Sequence, residues 1–123
     1  MKKTFTKLAI ALTIATTLNS QAQTTVSFDT FTLSANSYYQ DNSGADFSSG
    51  VANFQYDWQG YWANGTAYTN VNDTVNGTYT NLYGAITGTS FSGTNYATTQ
   101  SGAVISFSNN TTAVHGFYVT NTT

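Results

Sequence analysis

Six residues are equipped to hold a ligand by touch: Tyr38, Tyr39, Tyr61, Trp62, Tyr68 and Asn70. Aromatic rings offer flat faces that stack on a sugar or a macrocycle, and an amide such as that of Asn70 fixes orientation by hydrogen bonding. Tyr38-Tyr39 and Tyr61-Trp62 are adjacent pairs, so an extended backbone turns one ring of each pair outward. The stretch 62–85, WANGTAYTNVNDTVNGTYTNLYGA, sets the character of the chain. It is dominated by Asn, Thr, Gly and aromatic rings, and its one charge is Asp73. Such a stretch recognises by shape, stacking and amide hydrogen bonds, and it is poorly supplied for moving protons.

Groups for other chemistry are few. A glycosidase needs two carboxylates roughly 5–10 Å apart, one of them held protonated. Asp57 and Asp73 are the candidates, but each reads better as a turn residue accepting backbone hydrogen bonds. His115 stands in Thr-Ala-Val-His-Gly-Phe with no nucleophile motif beside it. The sequence therefore predicts a protein that is not an enzyme. Asp41-Asn42-Ser43-Gly44-Ala45-Asp46 supplies hard oxygen donors around a glycine, which makes Asp41 and Asp46 candidate ligands for a structural calcium. The spacing is not that of an EF-hand, and a solvated loop rich in Asx residues fits it too. One His and no Cys leave little for a transition metal.

Charge narrows the partners. Met1 to Lys7 is a basic n-region, residues 8–18 form an apolar stretch broken only by threonines, and Ser20 and Ala22 are the small residues that a signal peptidase reads. A secretory signal is predicted over residues 1–22, with the β-domain at 23–123 and a location in the periplasm, at the cell surface or outside the cell. The apolar stretch is too short to span a bilayer, so no membrane insertion is expected after cleavage. Cleavage removes all three lysines and leaves five aspartates, so the formal charge passes from −2 to −5. Without lysine or arginine a chain cannot neutralise phosphates, which excludes nucleic acid and argues against anionic membrane surfaces. A small-molecule or glycan ligand, or another surface protein, is the expected partner. With no Cys there is no disulfide.

The elements that must position these residues read as short strands. Pro is absent, helix formers are scarce after residue 22, and Thr, Tyr, Phe and Val are common. Alternation predicts strands over 24–33, with a change of phase at Asp29-Thr30, and over 51–58. In the latter Ala52, Phe54, Tyr56 and Trp58 share one face, and Asn53, Gln55 and Asp57 the other. Residues 34–50 read as a loop. Gln59-Gly60, Asn64-Gly65 and Asn76-Gly77 are turn signals. Further strands are predicted at 79–86 and 114–120, and a hairpin joins 96–99 to 103–107 around Gln100-Ser101-Gly102. Short strands with turns between them predict an all-β antiparallel sandwich or jelly roll.

Several segments resemble a bacterial secreted family. The motif Trp62, Gly65, Ala67, Tyr68, Thr69, Asn70, Asp73 is similar to its central motif. So are residues 80–88, Asn95-Tyr96-Ala97, the run 116–123, and the opening from Val26 through Tyr38-Tyr39. The resemblance implies a jelly-roll-like β-sandwich. It also implies ligand binding, since some members of that family are surface proteins that bind vitamin B12 (cobalamin). Domains of the family are about twice as long, which implies that this chain corresponds to an N-terminal half.

Overall fold

The computed structural model describes residues 23–76, 81–85, 90–108 and 113–119. The predicted signal, residues 1–22, lies outside the described residues, as do parts of the strands predicted at 79–86 and 114–120. Among the described residues six strands form: β1 (Phe47–Ser49), β2 (Ala52–Phe54), β3 (Tyr56–Trp58), β4 (Trp62–Thr69), β5 (Tyr96–Thr99) and β6 (Ile105–Phe107). They make two antiparallel three-stranded sheets, ordered β1-β2-β6 and β3-β4-β5. The described chain is all-β, with the two-sheet layout of a β-sandwich.

The run 51–58 connects the two sheets. Its alternation holds, with Ala52, Phe54 and Tyr56 buried, but it divides at Gln55 instead of forming one strand. The Gln55 N–H donates to the Val104 carbonyl (3.0 Å), and its own carbonyl accepts from the Thr66 N–H (2.7 Å). One residue thus gives one backbone group to each side. Phe54 joins a cluster with Phe47 and Ala52, whereas Tyr56 joins a second cluster with Trp62 and Ala67.

Strand β4 serves both clusters. Successive side chains of a strand point to opposite faces. Ala67 accordingly belongs to the Tyr56–Trp62 cluster, and the next residue, Tyr68, packs against the Phe47–Phe54 cluster. Tyr39 touches both. Its ring centroid lies 5.2 Å from Phe47, 5.0 Å from Tyr56 and 4.8 Å from Tyr68.

Asn64-Gly65 is not a turn: β4 runs straight through it. Gly65 holds φ at 91°, and a Cβ there would lie 2.2 Å from the Gln55 carbonyl oxygen. The glycine is needed for close approach of two backbones. The β3–β4 turn comes earlier, at residues 59–61, where the Gln59 N–H donates to the Tyr61 carbonyl (2.9 Å). The turn at 100–103 forms, with the Ala103 N–H on the Gln100 carbonyl (3.2 Å), but its arms do not pair. β5 adds to β4 and β6 adds to β2, so the turn carries the chain from one sheet to the other. Alternation identifies a strand but not its neighbour.

Residues 24–33 form no strand. The change of phase at Asp29-Thr30 is a turn, closed by the Phe31 N–H on the Phe28 carbonyl (3.2 Å), and Val26, Phe28 and Phe31 all pack on the Phe47 cluster. Polar groups seat this turn. Asp29 Oδ1 accepts the Thr94 and Asn95 N–H groups (2.8 and 2.9 Å), and Asn95 Nδ2 donates to the Phe28 and Phe31 carbonyls (2.9 and 2.8 Å). Strand β1 arises inside a stretch whose Ser, Asn and Gly content reads as loop. Residues 81–84 make a turn, with the Gly84 N–H on the Asn81 carbonyl (3.1 Å). Residues 113–119 join no ladder, and Phe117 is 79 % exposed.

Three aspartates make the fold acid-sensitive. The Asn95 and Thr94 N–H groups hold the Asp29 carboxyl below its usual value of 3.8. The Ser43 hydroxyl and N–H do the same for Asp41. The Asn76 side-chain amide, followed by the N–H groups of Asn76 and Val75, does so for Asp73. A carboxyl lowered in the folded state adds stability that is present above its unfolded value and lost as pH falls through the folded one. The melting temperature is therefore expected to stay level above about pH 5 and to drop below about pH 4. Asp29→Asn should lower it at neutral pH and make the acid dependence shallower. An unchanged acid limb in that variant would remove Asp29 from the account.

Candidate functional site: a polar groove on the outer face of the 52–58 run

The alternation that buries Ala52, Phe54 and Tyr56 turns Asn53, Gln55 and Asp57 outward. These three line an open groove of about 490 Å³ together with Gly44, Asp46, Val104 and Ser106. Register explains the assembly. Asn53 stands opposite Ser106 in the β2–β6 ladder, so β6 forms one wall. The loop before β1 forms the other, held down by Asp46, whose Oδ1 accepts the Tyr56 N–H (3.0 Å). Gly44, with φ at 73°, fits against the Trp58 backbone, where a Cβ would lie 3.3 Å from the Trp58 nitrogen.

Part of the polar surface is committed to the protein. Asp46 Oδ2 accepts from Asn53 Nδ2 (3.4 Å), Asn53 Oδ1 accepts from Ser48 Oγ (2.9 Å), and Asp57 Oδ2 accepts from Gln59 Nε2 (3.1 Å). The Asn64 amide is best satisfied by donating to the Ser101 and Ala63 carbonyls (2.7 and 3.1 Å), away from Asp57. Among the described residues the Gln55 amide, Asp57 Oδ1 and Ser106 Oγ remain free. Carboxylate and amide oxygens accept from hydroxyls, and the Gln55 nitrogen donates to them. The arrangement is chemically suited to a polyhydroxylated ligand.

The chain matches no family model, no curated protein and no solved structure.

The groove gathers none of the six aromatic and amide candidates. Tyr38 (39 % exposed) and Tyr61 (64 % exposed) face outward, while their neighbours Tyr39 and Trp62 turn inward, Trp62 to 3 % exposure. Tyr68 is half-buried and stacks on Phe31 (4.1 Å, 14°). Burial, followed by the nearby Asp41 charge, pushes the Tyr39 hydroxyl up to about 12. Burial also raises the phenols of Tyr68, Tyr83 and Tyr96. Asn70 pins a loop: its Oδ1 accepts the Ser37 N–H (2.7 Å), and its Nδ2 donates to the Ser34 carbonyl (2.9 Å). It also lines a smaller depression of about 320 Å³ with Asn36, Asn72 and Tyr96.

The aspartates separate by role. Asp41 Oδ1 closes an Asx turn on Ser43, accepting its N–H (2.7 Å) and hydroxyl (2.5 Å), and Oδ2 accepts from Tyr39 (3.4 Å). Asp73 caps Val75 and Asn76 (3.0 and 3.1 Å) and is not part of the groove. Among the described residues no three His, Cys, Asp or Glu side chains gather around one point where a metal ion could sit. His115 lies in the exposed segment 113–119. The sequence offers Asp57 as a candidate carboxylate, but Asn53 and Gln55 carry no such signal, because an outward polar face usually meets only water. The available signal was their alternation, Asn-x-Gln-x-Asp, opposite a serine whose pairing the sequence does not reveal.

Proposed function

We propose that this chain is an exported, non-catalytic binding protein whose outer groove takes a glycan. The observation that carries this reading is the outward row of Asn53, Gln55 and Asp57, in which the free Gln55 amide and Asp57 Oδ1 stand with Ser106 Oγ in one open groove. Sugar hydroxyls need donors and acceptors in mixture, and this groove supplies both. Binding without catalysis agrees with carboxylates that already accept hydrogen bonds from the protein's own N–H groups, and with a groove too open to exclude water. Tyr38 and Tyr61 add exposed ring faces of the kind that stack on sugars. A second reading, cobalamin as the ligand, rests on the motif resemblance around Trp62 to Asp73, and it too would use exposed rings.

Thermal-shift and titration measurements against a glycan panel and cobalamin test the proposal. A ligand at one hundred times its Kd stabilises the folded state by about 2.7 kcal/mol, a readily measured shift. The double variant Gln55→Ala, Asp57→Ala is expected to weaken glycan binding at least about tenfold, the loss of roughly 1.4 kcal/mol, with little change in melting temperature. Cobalamin binding that survives in that variant would support the second reading. No shift with either ligand, together with self-association, would point instead to an adhesive surface module.

A further inference from the structure

We propose that Tyr38 and Tyr83 are the site of an intramolecular dityrosine cross-link, formed when the protein meets a one-electron oxidant of the peroxidase class. The two rings stack face to face, with centroids 3.6 Å apart and planes within 3°. Among the described tyrosines no other pair is so close or so parallel: Tyr39 and Tyr68 are 4.8 Å apart at 25°, and Tyr39 and Tyr56 meet edge-on at 70°. Tyr38 is partly exposed, so an oxidant can reach it at the surface. Tyr83 is half-buried beneath it and stacks in turn on Trp62 (4.8 Å, 16°), so the outer ring is its contact with solvent-side chemistry.

Both backbones are held in place. The bridge between Tyr38 and Thr69, with the Tyr39 N–H on the Tyr68 carbonyl (2.8 Å), fixes the first ring. Tyr96 holds the segment of the second: its hydroxyl accepts the Ala85 N–H (2.8 Å) and donates to the Val71 carbonyl (2.5 Å), with the Tyr83 carbonyl 3.3 Å away. Proximity of this kind turns a bimolecular radical coupling into a unimolecular one, which favours the internal product over cross-links between molecules.

Each phenol loses one electron to the oxidant, Tyr83 by way of the stacked Tyr38, and releases its hydroxyl proton. The two phenoxyl radicals join through ring carbons adjacent to the oxygens. The hydrogens on those carbons then move to the oxygens as the rings regain aromaticity. The product has one new C–C bond and two hydrogen atoms fewer, and hydrogen peroxide takes up the two electrons and two protons to give two waters. In a chain without cysteine, such a bond would tie the Tyr38 loop to the turn at 81–84 as a disulfide would, and closing that loop raises stability.

The protein, treated with a haem peroxidase and hydrogen peroxide, tests this. Dityrosine fluorescence is expected in a species that remains monomeric, is lighter by two hydrogens, maps by mass spectrometry to the peptides carrying residues 38 and 83, and melts at higher temperature. Tyr38→Phe changes only a partly exposed hydroxyl and should cut the monomer's fluorescence at least about tenfold, whereas Tyr61→Phe should leave it. Cross-links found only between molecules, or a monomer adduct that persists in Tyr38→Phe, would overturn the assignment.

Discussion

Gly65→Ala is expected to abolish the cooperative unfolding transition. The added methyl would lie 2.2 Å from the Gln55 carbonyl oxygen, 2.8 Å from its carbon and 3.0 Å from the Tyr56 Cα, all backbone atoms that no rotamer change can move. The position also holds φ at 91°, where a side chain adds about 1–3 kcal/mol of strain. Relieving the clash means pulling β4 away from the Gln55 junction, which breaks the Thr66 N–H bond to the Gln55 carbonyl (2.7 Å) and opens the contact between Tyr56 and Trp62. The sum is several kcal/mol against a total stability of about 5–15 kcal/mol for a small domain. Gly60→Ala is the control. It shares a positive φ, 83°, but its Cβ would meet open space, so a modest loss of about 1 kcal/mol is expected. Circular dichroism melts of the two variants decide the matter: if Gly65→Ala melts like Gly60→Ala, the close approach of β3 and β4 is wrong.

Tyr39→Ala should have the next largest effect. The ring is the side chain shared by both clusters, and deleting an aromatic from such a place costs about 3–5 kcal/mol. Tyr39→Phe keeps the ring and loses the hydroxyl's bond to the Ala45 carbonyl (3.0 Å), a loss of about 1 kcal/mol. The alanine variant carries a second signature. Trp62 reports on one cluster, whereas far-ultraviolet dichroism reports on both sheets. With the linking ring gone, the two signals should no longer change together on heating, a departure from two-state behaviour. Coincident transitions in Tyr39→Ala, at a midpoint close to that of Tyr39→Phe, would show that the clusters are coupled by the backbone at Gln55 alone.

Composition and period were enough for the fold class. Frequent Thr, Tyr, Phe and Val and short alternating runs imply strands, and the Ala52-Phe54-Tyr56 face is buried as its spacing predicts. The outward turn of one ring in each pair, Tyr38 over Tyr39 and Tyr61 over Trp62, follows from the same geometry. These are local consequences of a two-residue repeat, and a local rule can read them. Pairing was different. Nothing within 96–107 says that its two arms belong to separate sheets, because a turn fixes the chain's direction and not the neighbour each arm meets. Gly65 has the signature of a turn, since a positive φ is required both in tight hairpins and where backbones touch, and only the presence of Gln55 across the ladder tells the two apart. The groove was hidden for the same reason. Asn53, Gln55 and Asp57 are visible as a row, but Ser106 and Asp46 come to them from distant parts of the chain, through a strand register and a side-chain bond that exist only once the sheets have assembled.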